Sequence, residues 1–268
     1  MSKLLVSPQP RDEQGKVISV TPQSAGWKYV GFELYSLQPG ETLQNDTNEQ
    51  EVCLVLLSGK AEVSTSKKSF GMLGQRMSVF ERIPPYSVYV PNHDRYTVQA
   101  ETALELAVCA APGKGTYPAR VIAPDDVGVE TRGSGSIERH IHNILPEQKE
   151  ADSLLVVEVF TPGGHWSSYP PHKHDQENLP HESYLEETYY HEVNPEQGFI
   201  MQRVYNDDRS LDETIAVPHR HVVLVPKGYH PVSAPPGYDS YYLNVMAGPV
   251  RTWKFHNDPE HEWLFEKK

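Results

Sequence analysis

The chain has 268 residues, 38% of them hydrophobic, and a mean hydropathy of -0.56, enough for one or two domains with a sizeable core and without any run near the ~18 apolar residues that span a bilayer. A formal charge of -12 argues against nucleic acid and anionic membranes as partners, because the electrostatic term opposes both; an anionic small molecule stays open through local charge. Met-Ser-Lys-Leu-Leu-Val-Ser-Pro has a lone lysine and too short an apolar stretch for a secretory signal. Cytoplasm is the expected location.

Short β-prone runs follow one another along the chain: Val30 to Leu37, Val52 to Leu57, Ala61 to Ser64, Val88 to Val90, Ala103 to Ala110, Leu154 to Phe160, Gly198 to Tyr205, Val222 to Val225 and Tyr241 to Val245. Pro39-Gly40, Ser58-Gly59, Pro112-Gly113, Pro162-Gly163-Gly164 and Pro235-Pro236-Gly237 punctuate them as turns. The 23 prolines suit loops and strand edges and oppose long helices. The pattern predicts an all-β sandwich or barrel. Cys53 and Cys109 lie in apolar runs and read as buried thiols of a reducing compartment, with a single disulfide as the alternative.

The order of features repeats. Pro39-Gly40, Glu51, then Val90-Pro91 and His93 in the first half match Pro162-Gly163, Glu186-Glu187, then Val225-Pro226 and His230 in the second. Two small barrels are therefore expected, an N-terminal one over residues 1–132 without a metal site and a C-terminal one over 133–268 with it. The boundary is placed at Gly133-Ser134-Gly135-Ser136.

Eight of the 13 histidines fall from His165 to His230. His172 and His174 are two apart, so on a strand they point to the same side. With Glu187 and His230 they make a three-imidazole, one-carboxylate set suited to a divalent transition metal, without choosing among Zn, Mn, Fe, Co and Ni. Glu182 and Glu186 are alternative carboxylates. Glu187 is preferred because Tyr189 and His191 then share its face, which leaves Glu186 as a solvated charge outside. His140 and His142 read as surface residues, and His219-Arg220-His221 as a turn whose Arg220 could reach an anion at the barrel mouth.

The His-x-His pair, the later glutamate and the Pro-x-Gly turn before His230 resemble the cupin superfamily. Pro170 to Asp175, Glu187 to His191, Tyr229 to Val232, Tyr241 to Pro249 and His261-Glu262-Trp263 resemble the 5-deoxy-glucuronate isomerase family of myo-inositol catabolism, itself similar to 4-deoxy-5-ketouronate isomerases. The resemblance implies a bicupin fold of two jelly-roll-like barrels. It also implies an aldose–ketose isomerisation of a small sugar acid, 5-deoxy-glucuronate, to 5-dehydro-2-deoxy-gluconate. In that reading the metal stabilises an enediolate, and Glu187, Glu158, Tyr189 and Tyr242 are the candidates for proton transfer. Arg203, Arg220 and Arg251 are candidates for the substrate carboxylate. A cupin-type dioxygenase and a non-catalytic sugar-binding cupin are the competing readings. The first barrel is expected to serve packing or a homo-oligomer contact, with Glu51 and His93 lacking a role.

Overall fold

The computed structural model describes residues 2–265, and its contacts divide the chain into two units. One holds Pro8–Gly128 with His142–Val157; the other holds the N-terminal segment through Ser7, Val129–Ile141 and the chain from Glu158 onward. The division is interleaved where a single cut at 132/133 is expected. Leu5 and Val6 pair with Val223 and Val222, which assigns the start of the chain to the later unit. The Gly-Ser stretch is a turn inside that unit, between the Gly128–Arg132 and Arg139–Leu145 strands. Gly133 is required there: its φ is 77°, and a Cβ would stand 2.2 Å from the Ile137 carbonyl oxygen.

In the earlier unit a six-stranded sheet runs Arg120–Ile122, Ser87–Val90, Gln50–Ser58, Leu104–Pro112, Gly31–Leu37, Lys16–Val20. A four-stranded sheet of Thr42–Asp46, Arg95–Ala100, Ala61–Thr65 and Ser69–Leu73 joins it. Alternate residues of the central strand, Val52, Leu54 and Leu56, pack with Val63, Val88, Val90, Val98 and Leu106 in one buried cluster, the interior of a small barrel. Cys53 and Cys109 stand opposite each other across two strands as buried free thiols. Burial pushes the Cys53 thiol up to about 12.

The later unit carries, in sheet order, Leu5–Val6, His221–Val225, Glu186–Asn194 and Asp239–Ala247, followed by residues 158–161, 139–141 and 129–132 of the next three strands. A second sheet holds Trp166–Ser167, Val232–Ser233, Phe199–Tyr205 and Asp212–Pro218. All nine expected runs are strands, with each end displaced by at most two residues. Of the strands missing from the expectation, Thr42–Asp46 and Asp212–Pro218 are largely exposed and polar, so they carry no apolar run to betray them.

The repeat has a register. Val52 pairs with Val90 and Glu51 with Ala111; Glu187 pairs with Val225 and Glu186 with Ala247. Val52 thus holds the place of Glu187, and Glu51 that of Glu186. Glu186 is buried, not the solvated charge expected, and so is Glu51. His93 sits on an exposed turn with φ 54°, 3.5 Å from Glu49, outside its barrel.

Candidate metal centre

The Glu186–Asn194 strand lies between His221–Val225 and Asp239–Ala247. Its alternation puts Glu187, Tyr189 and His191 on one face, opposite Met246, Asn244 and Tyr242 of the neighbouring strand. These side chains meet as the register requires. Asn244 Nδ2 donates to Glu187 Oε1 at 2.7 Å, and the Tyr189 and Tyr242 rings are 5.0 Å apart.

Two imidazoles converge on the other carboxylate oxygen. His174 Nε2 is 3.1 Å and His230 Nε2 3.3 Å from Glu187 Oε2. The ligand atoms of His174, Glu187 and His230 all lie within 4.8 Å of one another, and all three residues are buried. Their tautomers follow from the main chain. His174 Nδ1 lies 3.0 Å from the Leu185 carbonyl oxygen and His230 Nδ1 2.8 Å from that of Gly228. Each Nδ1 therefore carries the proton it donates, and each Nε2 presents a lone pair.

Two lone pairs and a carboxylate oxygen facing one point repel unless a cation sits among them. His230 Nε2 has no hydrogen-bond partner although it is buried, and burial holds that imidazole at about 3, in its neutral form. For His174, burial opposes a charge, but the hydrogen bond and charge of Glu187 outweigh it and raise the pKa. A proton on His174 satisfies one of the contacts; a divalent ion satisfies all three. The donor set therefore fits a transition metal.

His172 stands beside this cluster rather than within it. Its ring is 4.9 Å from that of His230 and 6.4 Å from that of His174, with a ring nitrogen bonded to the Pro170 carbonyl. Between the two histidines, Lys173 points the other way into a buried ion pair, its Nζ 2.8 Å from Asp175 Oδ1 and 3.1 Å from Glu182 Oε1. Glu182 is thereby spent on Lys173. Asp175 Oδ2 also accepts the Gly228 N–H at 2.8 Å, which ties the His-x-His segment to the turn bearing His230.

Several expected residues are elsewhere. Glu158 accepts the Tyr241 hydroxyl at 2.9 Å; Tyr241 neighbours Tyr242 on an extended strand and so faces away from the Glu187 side of the sheet, and Glu158 with it. Arg203 makes two 2.7 Å bonds to the Asp212 carboxylate. It alternates with Gln202, whose Oε1 reaches inward to His191 Nε2 at 2.9 Å, so Arg203 is on the outer side. Arg220 occupies the turn at the His191 end of the glutamate strand, its N–H donating to the His191 carbonyl. That is four residues, or ~13 Å, along the strand from Glu187. Arg251 is half-buried past the Asp239–Ala247 strand. His142, expected at the surface, is buried.

The same interior face carries His191, as expected from its alternation with Glu187, and Asn244, and Ser168 approaches it; these last two are absent from the expectation. His191 Nδ1 is buried without a partner, and burial holds this imidazole at about 4. Ser168 Oγ lies 3.0 Å from the Tyr189 hydroxyl and 3.5 Å from that of Tyr242. His191 was within reach of alternation from Glu187; Asn244 and Ser168 depend on cross-strand register and a loop, which leave no local signal.

The profile of the KduI/IolB family matches residues 4–264. A 5-deoxy-glucuronate isomerase of Geobacillus thermodenitrificans is 69% identical over 268 residues, covering 100% of this chain and 98% of that protein. One of Bacillus subtilis strain 168 is 50% identical, covering 100% of both chains. The crystal structure of an IolB-like protein from Salmonella typhimurium LT2 superimposes with a TM-score of 0.95 at 56% identity, over 98% of this chain and 99% of that one. Lactobacillus farciminis oxalate decarboxylase gives 0.68 at 14% identity, over 100% and 91%, a likeness of fold that agrees with the expected all-β bicupin.

Proposed function

The chain belongs to the KduI/IolB family, and from that membership we propose that it is an aldose–ketose isomerase converting 5-deoxy-D-glucuronate to 5-dehydro-2-deoxy-D-gluconate. Identities of 69% and 50% over the whole chain to proteins named for this reaction support it. The observation that carries the chemistry is the single oxygen, Glu187 Oε2, faced by two imidazole Nε2 atoms, all three residues being buried.

Isomerisation takes the proton from C2 of the open-chain sugar and returns it at C1, with negative charge building on the oxygens of both carbons. A divalent ion of the Zn, Mn, Fe, Co or Ni class, held by His174, Glu187 and His230 with His172 beside them, supplies Lewis-acid stabilisation of that charge when bound. Glu187 is the carboxylate assigned to move the carbon-bound proton, a role typically contributing ~10²–10⁴-fold. Burial pushes the phenols of Tyr189 and Tyr242 upward, so at neutral pH they stay protonated and donate to substrate oxygens. Ser168 bridges their hydroxyls and can pass a proton between them. Glu158 has no part in this mechanism.

The test is turnover of 5-deoxy-D-glucuronate with and without dioxygen, in D₂O, together with metal analysis. Equal rates in air and under argon, deuterium in the product, and loss of both metal and turnover in His230→Ala are expected. Dependence on dioxygen, or full activity in a metal-free His230→Ala protein, would refute the proposal.

A further inference from the structure

We propose that the earlier unit carries a second binding site, at the end of its barrel that matches the metal centre of the later one, and that its ligand is an uncharged polyhydroxylated molecule of monosaccharide size. This site is independent of the isomerase reading. Val52, Leu54 and Val108 hold the places of Glu187, Tyr189 and Asn244 in the repeat, so the carboxylate and the polar wall of the metal centre are absent. The space stays open. Val52 lies beside Ala110, and Ala110 beside Gly31, a row that shrinks across three strands where the later barrel has Glu187 beside Met246. A cavity of about 560 Å³ is lined by this row, within the range of roughly 300–1,000 Å³ found for small-ligand sites.

The lining joins apolar Val52, Val108 and Ala110 to polar Glu33, Asn45 and Tyr96. Asn45 Nδ2 donates to the Tyr35 hydroxyl at 3.2 Å and to that of Tyr96 at 3.3 Å, and the Tyr35 hydroxyl donates to Glu33 Oε2 at 2.8 Å. The network is left open at one end. Among the described residues, neither Asn45 Oδ1 nor the hydrogen of the Tyr96 hydroxyl has a partner. Tyr96 is 2% exposed, and burial pushes its phenol up to about 12, so it is a donor at neutral pH. A buried donor beside an open acceptor costs free energy until a ligand meets both, and a hydroxyl group does. Charge argues against an acid or an amine. Lys16 is the cation of the lining, and Glu33 Oε1 takes its Nζ at 2.7 Å; Arg95 takes Asp46 at 2.7 Å. Glu49 remains, exposed. A carboxylate ligand thus finds no free cation, and an ammonium group finds only a solvated carboxylate worth little. A polyol uses the whole lining, its C–H face on the apolar side chains and its hydroxyls on Asn45 and Tyr96.

The experiment is saturation-transfer NMR on the full-length chain with D-glucose, D-mannose, D-galactose and D-xylose, and with D-glucuronate and D-glucosamine as charged counterparts. At least one neutral sugar should bind saturably. Asn45→Ala should weaken that binding by about 5–10-fold, the loss of one or two hydrogen bonds, and Ala110→Phe, which fills the cavity, should abolish it. Both variants should keep wild-type turnover of 5-deoxy-glucuronate, since neither residue belongs to the unit with the metal centre. In the part of the signal that Ala110→Phe removes, the charged sugars should bind roughly 10-fold more weakly. Asn45→Ala carries the test alone if Ala110→Phe does not fold. No binding by any of the four neutral sugars, binding that both variants leave intact, or charged sugars held as tightly as neutral ones overturns the proposal.

Discussion

Glu187 is held from both sides. Oε1 accepts from Asn244 and Oε2 faces the two imidazoles, so the carboxylate cannot rotate without breaking a buried contact. Support of this kind around a metal ligand is commonly worth 10–100-fold in affinity. Asn244→Ala is expected to weaken metal binding by about that factor, read by chelator competition, with an unchanged circular dichroism spectrum. Wild-type affinity in that variant would mean that Glu187 needs no such restraint. At this scale the sequence was informative about the candidate ligands and poor about their supports. His174, Glu187 and His230 stood out by residue type and spacing, whereas Asn244 became visible only through its register opposite Tyr189. The arginines show the same limit. Arg203 looked available in the linear order, yet strand alternation turned it outward to Asp212.

Elements place these residues through a few buried polar ties. Lys173 anchors one face of the His-x-His segment to Asp175 and Glu182, and Asp175 reaches the Gly228 N–H. Gly228 itself, at φ 89°, passes so close to Tyr205 that a Cβ would lie 2.3 Å from its carbonyl oxygen. The earlier unit has an equivalent tie. Glu51 accepts the N–H groups of Asp152, Ser153 and Leu154 at 2.8, 2.6 and 2.7 Å and the Tyr89 hydroxyl at 2.6 Å. It is a clamp on a returning segment. Removing it leaves three main-chain donors unsatisfied in the interior, so Glu51→Ala should cost about 3–5 kcal/mol, measured by urea unfolding. A loss below about 1 kcal/mol would show that water or rearrangement replaces the clamp.

For the whole molecule, the interleaving of the two units has a consequence for dissection. The later unit includes the Leu5–Val6 strand, and the earlier one includes His142–Val157. A fragment of residues 133–268 lacks the first of these and carries the second without its clamp. Such a fragment is expected to lack a cooperative unfolding transition, followed by circular dichroism on heating. A fragment that folds and unfolds cooperatively would show that the exchanged segments are dispensable.

Local patterning determined the all-β character and pointed to the two-fold repeat and the candidate metal-binding residues, because apolar runs, Pro-Gly turns and a His-x-His pair act over a few neighbouring positions. The burial of Glu186, the pairing of Arg203 with Asp212 and the place where the units divide were decided by tertiary structure. Those properties arise from cross-strand register and from segments brought together from distant parts of the chain, and neither has a periodicity to read.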